Sequence, residues 1–115
     1  MTLAGKLQLK ADQRIALLGA PDGLGLDELA VVPHVDDGDA LLAFAHTAAE
    51  AADQWASLRA AADQDKLAWI AYPKAKQAGT DLNRDIVRSL AEEHGLKTVR
   101  QIAVDDTWSA LRLRA

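Results

Sequence analysis

The run Arg14-Ile15-Ala16-Leu17-Leu18-Gly19-Ala20-Pro21 decides the fold. A short apolar stretch that opens on a charge and closes on Gly and Pro predicts a central strand buried on both faces, with its C-terminal end entering a turn. In an open α/β sheet ligands sit at that end, so Gly19, Ala20 and Pro21 are the first candidate binding residues. Two later runs repeat the pattern. Ala40-Leu41-Leu42-Ala43-Phe44-Ala45 follows the turn signal Asp36-Asp37-Gly38-Asp39, and Leu67-Ala68-Trp69-Ile70-Ala71-Tyr72 ends at Pro73. Both predict doubly covered strands. Ala30 to Val35 predicts a further strand toward the outside of the sheet, because Pro33 cannot donate to a ladder.

Between these strands the pattern changes to helical. Thr47-Ala48-Ala49-Glu50 is a capping box, and Ala48, Ala51, Trp55, Leu58 and Ala62 share one stripe, which predicts one helix, the longest of the chain. Thr80 or Asp81 is expected to cap a second strong helix with Leu82, Ile86, Leu90 and Ala91 facing inward. It stops at Gly95, with Leu96 folding back on the last turn. Weaker signals give a helical turn within Leu3 to Leu9 and a short helix capped by Asp22. The tail reads as an antiparallel hairpin, Thr98 to Val104 and Thr107 to Arg114 around Asp105-Asp106, with Arg112 and Arg114 on one face and Leu111 and Leu113 on the other. Strand and helix alternation followed by a hairpin predicts an α/β protein. Its architecture is a three-layer Rossmann-like sandwich, a mostly parallel sheet closed by a C-terminal antiparallel hairpin.

Composition bounds the rest. At 115 residues, 50% hydrophobic and 26% charged, the chain makes one domain, residues 1–115, with a single core. It has no Cys, which rules out disulfides and thiolate metal sites. No leader-like or bilayer-length apolar run is present, so a cytoplasmic protein without membrane partners is expected. The net charge of −4 is uneven: residues 1–65 hold 4 basic and 11 acidic side chains, and residues 66–115 hold 9 basic and 6 acidic. Such asymmetry marks either an anion-binding face on the second half or attraction between two sides of one domain or two subunits. Aromatic content of 4% argues against nucleic acid as a partner.

Three strings carry a family resemblance: Trp69-Ile70-Ala71-Tyr72-Pro73-Lys74, Thr80-Asp81-Leu82-Asn83-Arg84-Asp85, and Val99 to Arg112 with Val104-Asp105-Asp106-Thr107-Trp108-Ser109-Ala110-Leu111-Arg112 at its core. Together with the Leu-Leu-Gly-Ala-Pro turn, they resemble a family of small uncharacterised bacterial proteins over nearly the whole chain. The strand plan is also similar to a shortened S-adenosylmethionine-dependent methyltransferase domain, whose sheet likewise ends in an antiparallel hairpin. That resemblance implies an acidic-x-Gly-x-Gly-x-Gly loop after the first strand. Here Leu17, Gly19, Pro21 and Gly23 occupy those places, so the acid is missing and the middle glycine is a proline without an N–H.

The candidate crevice lies between Gly19-Ala20-Pro21 and His46-Thr47, with Tyr72 and Lys74 on its rim and Asp36 or Asp37 placed to accept ribose hydroxyls. His46 suits acid–base work, although a strand-end histidine bonded to a loop is the more ordinary reading. No Ser or Cys nucleophile partners it, and His34, His46 and His94 lack ligand spacing, so no catalytic set and no metal are assigned. Lys74, Lys76, Thr80 and Arg84 form a candidate anion site at a helix N-terminus. Asp105, Asp106 and Trp108 form a candidate interface, with Trp108 also a core residue. The primary expectation is a non-catalytic module that binds a small molecule or nucleotide or works as an interaction subunit, with a homodimer through the hairpin edge. The alternative is a reduced transferase using an adenosine-containing cofactor such as S-adenosylmethionine.

Overall fold

A computed structural model describes residues 2–21, 29–74 and 80–115. The short helix expected after Asp22 and the Lys76 side chain lie outside these residues. The first run forms β1 (Ile15–Leu18), flanked by β2 (Val31–Val32) and β3 (Ala40–Phe44); β4 (Leu67–Pro73), β5 (Lys97–Ala103) and β6 (Trp108–Arg114) complete one mixed sheet in the order β2-β1-β3-β4-β6-β5. The first four strands are parallel, and β6 runs antiparallel to both β4 and β5. β1 and β3 are direct neighbours, in register from Ile15 opposite Ala40 to Leu18 opposite Ala43. β1 is therefore interior but one place from the edge, and the middle of the sheet is β3 and β4. All five residues of β3 are buried, whereas Leu17 and Leu18 at the end of β1 are half-buried. Pro33 follows a two-residue edge strand, where its missing N–H costs no ladder bond.

The two faces of the sheet bury separate clusters, as period-2 strands require. On one, Leu41, Ile70 and Leu111 pack against Ala51, Trp55, Leu58 and Val87 of the helices α2 (Ala48–Ala52), α3 (Trp55–Asp63) and α4 (Arg84–Glu93). On the other, Phe44, Trp69 and Trp108 pack with Leu7, which follows the short α1 (Leu3–Lys6). Trp69 Nε1 donates to the Leu7 carbonyl at 3.2 Å, so the indole is satisfied inside that cluster.

Three expectations are corrected. The single long helix is two, α2 and α3, broken at Gln54, whose side chain turns inward; the apolar stripe Ala51, Trp55, Leu58, Ala62 survives the break and is buried. α4, at 10 residues, is the longest helix among the described residues, and neither Thr80 nor Asp81 caps it. Asn83 does, its side chain accepting from Ile86 N at 2.9 Å, because Thr80 accepts from Leu82 N and Asp81 is engaged by another helix. The later start sets the inward face on Val87 and Ala91 with Leu90 partly buried, and leaves Ile86 40% exposed. The helix does end at Gly95, φ +75°, with Gly95 N bonded to Glu92 O and Leu96 N to Ala91 O, the paired bonds of a left-handed C-terminal cap.

Candidate functional site

The strand order reverses at β1, with β2 on one side and β3 on the other, so the place to look is the carboxyl ends of β1 and β3. Gly19 leaves β1 at φ +66°, a conformation that glycine reaches without a Cβ penalty. A Cβ there would stand 2.8 Å from the Phe44 carbonyl oxygen and 3.2 Å from Gln54 Nε2. Gln54 Nε2 itself donates to that same carbonyl at 2.7 Å, and Gln54 is only 8% exposed. The close approach that a glycine permits is thus made by the protein's own strand end and its own amide. The other side-chain atom, Gln54 Oε1, is buried without a hydrogen-bond partner.

The helix that follows β3 is closed as well. The Thr47 side chain accepts from Glu50 N at 3.2 Å and the Glu50 carboxylate accepts from His46 N at 3.0 Å, a capping box shifted by one residue. Asp81, from the segment before α4, accepts from Ala48 N at 2.9 Å. Two side-chain oxygens therefore take the Ala48 and Glu50 N–H groups of this first turn, and a third takes the His46 N–H just ahead of it.

The remaining candidates do not converge. The His46 ring meets Trp108 edge-on, with centroids 5.3 Å apart, and Trp108 meets Phe44 in the same way at 5.2 Å. Tyr72 belongs to the cluster on the opposite face, where its hydroxyl accepts from Gln101 Nε2 at 3.4 Å. Burial raises the Tyr72 pKa, with Arg84 lowering it and Asp85 raising it to a lesser degree. The phenol is neutral at physiological pH, and the sheet stands between it and His46. Ala20 packs on the Trp108 side, Pro21 is half-buried, and the Lys74 N–H donates to Thr107 O at 2.8 Å. Asp36 and Asp37 lie exposed in the 3-10 turn Val35–Asp37, which leads into the amino end of β3, whereas Gly19 and His46 follow the carboxyl ends.

Thr80 is spent on a local turn, and Arg84 is an exposed side chain 3.8 Å from Asp85. Asp105 shapes the hairpin, accepting from Thr107 N at 2.8 Å and Trp108 N at 2.7 Å, while Asp106 is exposed and the Trp108 ring is inside the sheet's second cluster. Sequence reasoning missed Gln54 and the reach of Asp81 to α2. A signal for Gln54 was available: it sits three residues after Ala51 and four before Leu58, an amide on the apolar stripe.

The described residues offer S-adenosylmethionine little. On the Cβ side of Gly19 the space is taken by the Phe44 carbonyl and the Gln54 amide. Pro21 offers no N–H, and the neighbouring helix N-terminus is already capped. No known family model matches the chain, and no curated protein matches it.

Proposed function

We propose that the chain is a non-catalytic, three-layer Rossmann-like module, akin to the small bacterial family its Tyr-Pro-Lys, Thr-Asp-Leu-Asn-Arg-Asp and Val-Asp-Asp-Thr-Trp strings resemble, and that it works through its surface. A shortened methyltransferase plan supports the architecture: four parallel strands, then a hairpin whose second strand inserts beside β4. One observation carries the functional reading, the Gln54 amide seated on the Phe44 carbonyl beside Gly19, where a cofactor enzyme needs open backbone. Among the described residues no acid–base pair assembles around it, since His46 and Tyr72 belong to opposite faces. Titration calorimetry with S-adenosylmethionine and S-adenosylhomocysteine tests this. No heat at about millimolar ligand is expected; saturable binding to either overturns the reading in favour of a reduced transferase.

One observation favours the small-ligand form of the same module. Gln54 Oε1 is a buried acceptor without a partner, a capacity that an N–H donor entering past Gly19 satisfies. A thermal-shift panel of nucleotides and amine metabolites separates the two forms, because a shift abolished by Gln54→Met selects the ligand form. The homodimer takes less support, as the β5 edge carries Lys97, Arg100 and a bulge between Thr98 and Arg100, features that oppose edge pairing.

A further inference from the structure

The hairpin holds a charge arrangement that the fold does not use. β5 and β6 pair so that Lys97 stands opposite Arg114, and Arg100 opposite Arg112. Directly opposed residues of an antiparallel ladder share a face, with Cβ atoms about 5 Å apart, and like charges there are destabilising. Leu111 and Leu113 pack toward the helices, so both rungs lie on the other face, the one that carries Gln8. The ion pairs among the described residues use Arg59, Arg84 and Arg88, and none involves these four cations. Arg112 Nη1 donates to Gln8 Oε1, which steadies the guanidinium, yet its Nε is buried without a partner. At the foot of the sheet Lys66, Arg112 and Arg114 also line a cavity of about 320 Å³ that reaches round to Ala62 and Leu113 on the helix side, and Asp65 is its one acidic side chain among the described residues.

From this juxtaposition we infer a binding site for an anion carrying two or three linked phosphate groups, held by Lys97, Arg100, Arg112 and Arg114 with Lys66 at its margin. A lone phosphate meets one rung. Linked phosphates reach both rungs, which are about 7 Å apart along the strand, and relieve both repulsions. The array is two rungs long because the next pair on that face, Ile102 and Ala110, is apolar and packs into the core. A nucleic-acid backbone needs charges that continue, or exposed rings on which bases stack, and the nearby Trp108 is buried. The site lies at the amino end of β4, away from Gly19, and stands independently of what the switch point does.

Calorimetric titration of the full chain with tripolyphosphate, orthophosphate and a single-stranded oligonucleotide, at about 50 mM salt, tests the site. Tripolyphosphate is expected to bind saturably, about tenfold or more tighter than orthophosphate, and to lose about tenfold or more in the double variants Arg112→Gln/Arg114→Gln and Lys97→Gln/Arg100→Gln. Without ligand, both variants are expected to melt at or above the parent, since repulsion is removed, so loss of binding is not loss of fold. No saturable binding up to about 5 mM tripolyphosphate, or equal binding by the variants, overturns the proposal. Oligonucleotide binding tighter than tripolyphosphate also overturns it, in favour of a polymer surface.

Discussion

Gln54 Nε2 donates to the main-chain carbonyl of Phe44 at 2.7 Å, and this bond covers the carboxyl end of β3 beside Gly19. It ties the break between α2 and α3 to the end of a fully buried strand. It also explains why Gly19, which a Cβ would drive into both partners, is a glycine.

Substitution on either side of this contact should be costly. Gln54→Ala strands a buried carbonyl and is expected to lower stability by about 1–3 kcal/mol. Gly19→Ala adds a left-handed backbone penalty to a clash with main chain that cannot swing away, for a loss of about 2 kcal/mol or more. Urea unfolding of the two variants checks both, and a neutral Gly19→Ala contradicts the packing account.

The Asp81 carboxylate caps α2, not its own helix. Asp81→Ala should therefore cost about 1 kcal/mol through the Ala48 N–H, while Asn83→Ala costs a similar amount through Ile86. Amide exchange distinguishes them: the first should deprotect α2 and the second α4.

α3 and α4 end in the same backbone motif, with Lys66 N on Ala61 O in one and Leu96 N on Ala91 O in the other. The left-handed position is Gly95 in α4 but Asp65, φ +58°, in α3. Asp65→Gly is expected to stabilise by roughly 0.5–1 kcal/mol, read as a rise in melting temperature.

Tyr72 is the only tyrosine, so its phenolate absorbance reports one group. Burial raises its pKa in the folded chain above the ordinary 10.0. Its contribution to stability is thus intact below pH 10 and falls as pH climbs from there through the folded value, because the unfolded chain ionises first. A spectroscopic midpoint above 10 in the folded protein is expected, and a midpoint at or below it contradicts the burial.

Much of the fold was legible because binary pattern and turn chemistry agree across β1, β3, β4 and the hairpin. The adjacency of β1 and β3, the edge placement of Val31–Val32 and the Gly95 stop all follow from local signals. The site was less so. Gly19 reads alike whether a ligand or a neighbouring strand comes close, and only the tertiary position of Gln54 decides between them. Asp81 looks like the cap of the helix that follows it, and its true partner, Ala48, lies 33 residues earlier in the chain. Helix propensity alone runs from Ala48 through Asp63, and the pull of one buried amide breaks it.

Gln54 occupies the switch point on the Cβ side of Gly19. Its side-chain NH₂ signals, followed by heteronuclear NMR while S-adenosylmethionine is added to about millimolar concentration, test that placement most directly. The expected result is a slowly exchanging, unshifted pair of resonances that Gly19 and Phe44 amides match. Saturable shifts of the Gln54 and Gly19 signals together would show the amide displaced by the ligand, and would contradict the account.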